Sequence, residues 1–103
     1  MDEQYLLREL RHFLDADGRL KGYPAKNRLK LMSLFYLASK FENGRSYSEN
    51  EVNRLLEHWH TFSDWAMLRR DLYDKKFIGR EADGSKYWLE NEPPSPASLG
   101  IIL

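Results

Sequence analysis

The spacing of apolar positions along the chain predicts four helices. Apolar residues recur every three or four positions over residues 2–14 and again over residues 25–41, a stretch that is apolar around most of its circumference and therefore suits a central helix. A third stripe follows Ser48, which forms a capping box with Glu51. The fourth helix spans residues 63–75 and directs its tryptophan and leucine side inward.

After the fourth helix the pattern changes to that of two short strands. Aromatic and branched residues fill Phe77–Glu81 and Lys86–Glu90, and Asp83-Gly84 between them is a strong hairpin signal. Arg45–Tyr47 is predicted as a one-rung strand. The fold class is therefore mainly α with a small β-hairpin (α+β). By analogy of layout, it is a winged helix-turn-helix with an extra N-terminal helix.

Chain length and a proline-rich segment set the predicted domain organisation. A chain of 103 residues suits one core, so we expect a single winged-helix-like domain over residues 1–91. Residues 92–103 are interpreted as a proline-rich linker and an apolar C-terminal tail, because proline continues neither helix nor strand. The tail is expected to fold back on this domain or onto a second subunit.

Composition narrows the classes of protein to consider. With 31% charged residues and no apolar run near the roughly 20 residues of a membrane span, no membrane association is expected. The acidic N-terminus lacks the pattern of a secretion signal, and the absence of cysteine excludes disulfides and thiolate chemistry. We expect a cytoplasmic protein.

Charge is patchy although the formal net charge is zero. Residues 21–47 sum to +5 and residues 65–80 to +3, while the remaining segments are acidic. Zero net charge argues against nonspecific binding of nucleic acid, which depends on concentrated positive charge. The two basic blocks either form a local binding face or are ordinary solvated surface.

Several short motifs occur in an order that is similar to one bacterial family. They are Phe13-x-Asp15-x-Asp17-Gly18-Arg19-Leu20, Pro24-x-Lys26, Leu37-Ala38-x-x-Phe41, Tyr47-x-Glu49-x-Glu51-Val52-Asn53, His60, Asp64, Leu68-Arg69-Arg70-x-Leu72, Arg80, Asp83-Gly84 and Tyr87-Trp88. Over about residues 5–89 the sequence resembles the bacterial domain of unknown function two-zero-eight-seven. The resemblance implies a small winged-helix-like domain associated with transcriptional regulators, without an established activity. Lys75-Lys76-Phe77 stands where that family tends to have a glycine after the helix.

The basic residues of the fourth helix and the hairpin are the candidates for contacting DNA. Arginine binds guanine edges or phosphates through two hydrogen bonds, and tyrosine donates to phosphate. A basic arc at the start of the central helix could extend the same face. The candidate DNA-binding residues are Arg69, Arg70, Tyr73, Arg80, Lys86, Lys26, Arg28 and Lys30.

The same arginines could instead stabilise the fold. Arg70 and Asp74 are four residues apart, the spacing of an intrahelical ion pair. One of the two arginines could also connect the helix to the hairpin by pairing with an acid there or at the helix start. The acids considered for this are Asp64, Glu81 and Asp83.

The sequence gives little support to a metal site, a cofactor site or an enzyme active site. The turn at Asp15–Gly18 lacks the remaining ligands of a calcium loop. A helix would separate His58 and His60 by roughly 200°, too far to share a metal, so His60 is expected to cap or brace a turn. No nucleophile elbow or phosphate loop is present, and we expect neither cofactor nor enzyme activity.

The sequence thus predicts a transcriptional regulator that binds duplex DNA through the helix at about 63–75 and the hairpin at 77–90. A homodimer, assembled through the N-terminal helix or the apolar tail, would present two such helices. The alternative is a protein-protein interaction module on the same fold, which zero net charge and the acids on the fourth helix favour.

Overall fold

Each predicted amphipathic stripe forms a helix in the computed structural model, which describes all 103 residues. The helices are α1 (Glu3–Glu9), α2 (Asn27–Ala38), α3 (Glu49–Trp59) and α4 (Trp65–Asp74), and the strands are β1 (Ile78–Arg80) and β2 (Tyr87–Leu89). The predicted class, mainly helical with a small antiparallel hairpin, is confirmed. None of the helices combines the length and apolarity needed to cross a membrane.

Both long N-terminal helices are shorter than predicted. α1 ends at Glu9 and a single 3-10 turn follows, because Leu14 is extended and pairs with Leu20 in an antiparallel bridge. α2 begins only at Asn27, since Lys26 is extended, so Pro24 lies outside the helix. Periodicity does not reveal these extended residues, because Phe13 and Leu14 continue the apolar spacing of α1 and Pro24 would also suit the first turn of a helix.

α2 is the central helix, as its apolar circumference predicted. Eighteen buried apolar residues form one core, and α2 supplies more of them than any other helix. Its buried apolar residues are Leu31, Met32, Leu34, Tyr36 and Leu37. The other elements pack around this helix.

The turn between α3 and α4 is held by the buried side chain of His60. The backbone N–H of Asp64 donates to Nε2 of His60 at 2.9 Å, so Nδ1 carries the proton and donates to the carbonyl of Leu56. Both ring nitrogens are thereby used within the protein. The prediction that His60 braces the turn is confirmed.

A second loop, around Arg19, caps the end of α3. The Arg19 guanidinium donates to the carbonyls of His58 at 2.7 Å and His60 at 3.1 Å. These acceptors lie where a helix leaves carbonyls without intrahelical partners. The Asp15 carboxylate accepts from the N–H groups of Asp17 and Arg19, both at 2.9 Å, and so organises its own turn.

The segment before α3 adds a third strand of a single residue to the hairpin. Tyr47 and Tyr87 exchange two backbone hydrogen bonds of 2.8 and 2.7 Å, which confirms the predicted one-rung strand. The β1–β2 register pairs Arg80 with Tyr87. The backbone pairing of Tyr47 ties the entrance of α3 to β2.

The end of the apolar tail returns to the core. Ile101 is only 5% exposed and belongs to the core cluster, and its N–H donates to the Pro96 carbonyl at 2.9 Å. Ile102 and Leu103 remain 87% and 67% exposed. Of the two arrangements predicted for the tail, Ile101 adopts the one in which it folds back on this domain.

α4 ends in a Schellman motif with a lysine at the position that usually holds glycine. The N–H of Phe77 donates to the Leu72 carbonyl at 2.9 Å, and the N–H of Lys76 to the Tyr73 carbonyl at 3.0 Å. Lys76 has a φ of 70°, in the left-handed region. The helix therefore ends as it would with glycine, but with the steric cost of a Cβ.

Replacing Lys76 by glycine is expected to raise the free energy of unfolding by about 1 kcal/mol, because glycine adopts the left-handed conformation without that cost. Chemical denaturation of Lys76→Gly and of Lys75→Gly would measure this. Lys75 has a φ of −88° and its replacement removes the same charge, so the control should show no gain. Equal effects of the two substitutions would contradict the explanation.

Removal of the His60 ring should destabilise the protein by about 2–4 kcal/mol, since two buried hydrogen bonds and a filled core volume are lost. The exposed His58 provides the control, and its replacement should cost less than about 1 kcal/mol. Thermal and denaturant unfolding of His60→Ala and His58→Ala would measure both values. Similar losses in the two variants would argue against the role assigned to His60.

Candidate nucleic-acid interface

The burial of two leucines sets which side of α4 faces solvent. Leu68 and Leu72 are fully buried, and the residues on the far side of the helix from them are exposed. Arg70 lies near the middle of this exposed side, with Tyr73 and Asp74 about one turn further along. The predicted orientation of the helix is confirmed for these residues.

An open cleft of about 340 Å³ lies between the exposed side of α4 and the hairpin. Its walls combine basic, acidic and aromatic side chains. The lining residues are Glu49, Ala66, Arg69, Arg70, Tyr73, Asp74, Arg80 and Tyr87. Four of the eight candidate DNA-binding residues are therefore brought together in one place.

Arg69 joins α4 to α3. Its Nη1 donates to Oδ1 of Asn53, and its Nη2 lies 3.4 Å from Oε1 of Glu49. The Arg69 side chain is only 22% exposed. The hypothesis that an arginine is held by internal pairing is correct for Arg69, but the partners lie on α3. The alternative partners Asp64, Glu81 and Asp83 are wrong, because the packing of α4 on α3 turns Arg69 away from them.

Arg70 has no carboxylate partner. The predicted ion pair between Arg70 and Asp74 is absent from the salt bridges of the structure. Both side chains are exposed, where such a pair contributes little to offset the ordering of two side chains. The Arg70 guanidinium is therefore available to a ligand.

Arg80 lies on the hairpin side of the cleft against two tyrosines. Its guanidinium carbon is 5.4 Å from the centre of the Tyr73 ring, a cation–π distance. The neighbouring hydroxyls of Tyr87 and then Tyr73 raise the pKa of Arg80. Like Arg70, Arg80 forms no salt bridge with an acidic side chain.

The Glu49 carboxylate connects the three elements around the cleft. One of its oxygens accepts a hydrogen bond of 3.2 Å from the Tyr87 hydroxyl and faces Arg69 at 3.4 Å. Glu49 begins α3, Arg69 belongs to α4 and Tyr87 to β2. This acid, Asn53 and Tyr87 were not among the predicted site residues, although each lies in a motif that carries the family resemblance.

The basic block at the start of α2 lies outside the cleft. Arg28 pairs with Glu9 at 2.8 Å and donates to the Tyr5 hydroxyl at 2.8 Å, and the hydrogen bond to Glu9 raises the pKa of Arg28. These contacts hold α2 against α1. Lys26, the residue before the helix, is exposed.

Lys30 lies near the side of α4 that faces away from the cleft. Its Nζ lies 5.2 Å from the Tyr23 ring centre, and the Tyr23 hydroxyl donates to Asp71 at 2.8 Å. On the helix, Asp71 is rotated by about 200° from Arg69. The predicted basic residues of α2 and α4 therefore do not form one continuous face, and the Asp71 charge is directed away from the cleft.

Lys86 is exposed at the start of the second hairpin strand. It forms no salt bridge, and its carbonyl accepts from the N–H of Glu81 at 2.9 Å across the hairpin. This backbone contact orients the turn. The Lys86 side chain is exposed but does not line the cleft.

Comparison with known proteins gives one match. The profile of the DUF2087 family, described as an uncharacterized protein conserved in bacteria, matches residues 19–89, more than two thirds of the chain. The matched region contains every residue that lines the cleft. No curated protein and no solved structure matches the chain.

Arg69 and Arg70 are adjacent in the sequence but should differ in their effect on stability. Arg69→Ala is expected to lower the free energy of unfolding by about 1–2 kcal/mol, because the amide of Asn53 and the carboxylate of Glu49 lose a charged partner. Arg70→Ala should change it by less than about 0.5 kcal/mol. Denaturation of both variants would measure the difference, and a larger loss for Arg70→Ala would contradict the assigned contacts.

Proposed function

We propose that this chain, which belongs to the DUF2087 family, binds duplex DNA through α4 and the β1–β2 hairpin and acts in transcriptional regulation. One observation carries the proposal: Arg70 and Arg80 line the same cleft from two different elements, and neither has an acidic partner. Two cations that line one cleft repel each other, and an anionic ligand would relieve that repulsion.

The order of elements supports this proposal. α3 and α4 are joined by a short turn and followed directly by the hairpin, and Tyr47 adds a rung to β2. In winged helix-turn-helix proteins the second helix of the pair enters the major groove. In the proposed complex α4 takes that position and the hairpin contacts the adjacent backbone.

The roles of the candidate residues differ in this proposal. Arg70, at the middle of the exposed side of α4, contacts a guanine edge or a phosphate, while Arg80 and Lys86 contact the backbone. Tyr73 helps to position Arg80 through a cation–π contact. Arg69 positions α4 on α3 and does not contact DNA, because Asn53 and Glu49 already engage its guanidinium.

The residues at the start of α2 contribute less to the proposed DNA interface. Arg28 and Lys30 already contact Glu9 and Tyr23 respectively, so we assign them to the packing of α2. Only the exposed Lys26 has its charge free for long-range attraction. The proposed interface therefore uses few cations, in keeping with a net charge of zero.

The proposed assembly is a cytoplasmic homodimer without catalytic activity, in which two copies of α4 read two half-sites. Ile102 and Leu103 are exposed apolar side chains next to the buried Ile101. They offer a small apolar surface that a second copy could cover. The α1 helix is the other candidate for this contact.

A protein-protein interaction module is the second candidate function. The observation that favours it is the presence of Asp74 and Glu49 among the arginines of the cleft, since mixed charge suits a protein partner better than a polyanion. Binding measurements separate the two functions.

Fluorescence anisotropy with a pool of mixed duplex oligonucleotides, over a series of salt concentrations, tests DNA binding. We expect salt-dependent binding, and the double variant Arg70→Ala/Arg80→Ala should reduce the slope of log K against log salt by about 2, because two phosphate-contacting charges are lost. Circular dichroism would verify that the variant is folded.

The double variant Lys21→Ala/Arg54→Ala serves as the matched control, since it removes the same charge from two exposed positions outside the cleft and outside the candidate dimer contacts. This control should retain most of the salt dependence, measured as the slope of log K against log salt. Absence of binding at low salt, or equal losses in both double variants, would contradict the proposed interface and favour the protein-interaction module.

A further inference from the structure

We infer that the cleft is a discrete site for a single phosphate group, bound by Arg70 and Arg80, and that Glu49 acts as an internal competitor for Arg69. A DNA backbone phosphate and the phosphate of a small metabolite have the same chemistry, and either could occupy the site. For the DNA phosphate, the inference rests on the function proposed above.

The first argument is the preorganisation of Arg80. A guanidinium held at cation–π distance from an aromatic ring loses part of its conformational freedom, and its planar set of N–H donors matches the oxygens of a phosphate. The Tyr73 ring provides this support at 5.4 Å, and Arg80 also lies beside Tyr87. Less conformational entropy is then lost when an anion binds.

The second argument is the balance of charge within the cleft. Glu49 is engaged by Arg69 and by the Tyr87 hydroxyl, so among the residues that line the cleft Asp74 is the remaining acid to offset Arg70 and Arg80. This leaves an excess of one positive charge at the site. A single phosphate group, with one or two negative charges, matches that excess.

The third argument is size. The cleft volume of about 340 Å³ is at the lower end of the range for small-molecule pockets. A phosphate group alone would leave part of it empty. The group bound here therefore belongs to a larger molecule, such as a nucleotide unit of a duplex or a free nucleotide.

The charge of Glu49 determines whether Arg69 can bind a ligand in addition to Arg70 and Arg80. Its carboxylate holds Arg69 at 3.4 Å while its side chain remains 48% exposed, so a phosphate in the cleft would experience repulsion from it. Glutamine at this position keeps an oxygen that can accept from Tyr87 but removes the charge. Glu49→Gln should therefore free part of the Arg69 charge for the ligand.

Titration with inorganic phosphate, followed by the NMR signals of the backbone and of the arginine Nε–H groups, tests the inference. Sodium chloride at matched ionic strength is the reference. We expect saturable shifts at Arg70 and Arg80. Phosphate affinity should fall about tenfold or more in Arg80→Ala, because a charge-assisted hydrogen bond is lost.

Three further variants distinguish a specific phosphate site from nonspecific electrostatic attraction of phosphate. Arg80→Lys should also weaken binding several-fold, since lysine keeps the charge but loses the planar fork. Glu49→Gln should strengthen binding several-fold. Arg54→Ala removes an exposed arginine that lines a separate cleft on α3, so it should leave phosphate affinity unchanged.

Duplex DNA and a nucleoside monophosphate, with its nucleoside as reference, identify the source of the phosphate. Displacement of the duplex by phosphate beyond the effect of chloride supports a DNA phosphate in the cleft. Saturable binding of phosphate without duplex binding at low salt supports a small-molecule ligand and rejects the proposed function. Shifts that do not saturate, that chloride reproduces, or that Arg80→Ala leaves unchanged would overturn the inference even if DNA binds.

Discussion

The rotation of α4 about its own axis determines which of its charged side chains reach the cleft. Leu68 and Leu72 are fully buried, and two buried leucines four residues apart leave the helix almost no freedom to turn. Arg69 then meets α3, Arg70 faces solvent and Asp71 meets Tyr23. Three consecutive charged residues thus acquire three different roles from a single packing constraint.

Glu49 extends this constraint from the helix to the cleft. Its carboxylate lies within hydrogen-bonding or ion-pairing distance of α4 and β2, so the positions of the two cleft walls depend on each other. Part of this contact is solvent-exposed, and its direct contribution to stability is correspondingly modest. Its main effect is on geometry and local charge, because it places an acid beside arginines that would otherwise repel one another.

Sequence reasoning predicted the local structure well and the long-range contacts poorly, for a physical reason. Periodicity reports which side of an element is buried, and this was sufficient for the four helices, the hairpin and the exposed Arg70. It carries no information about the angle at which one helix packs on another. The pairing of Arg69 with Asn53, 16 residues away, depends on that angle, and the expected partners at shorter range were therefore wrong.

Summed charge is also a poor guide to the location of a binding site. The most basic segment, residues 21–47 at +5, includes Arg28 and Lys30, whose charges interact with Glu9 and the Tyr23 ring. The less basic segment contains Arg70 and Arg80, which form no salt bridge and line one cleft. A cation contributes to ligand binding only to the extent that the folded protein has not already neutralised it. Cations that form no salt bridge and that the fold gathers in one cleft, as between α4 and the hairpin, are therefore a better guide to a binding site than the summed charge of a segment.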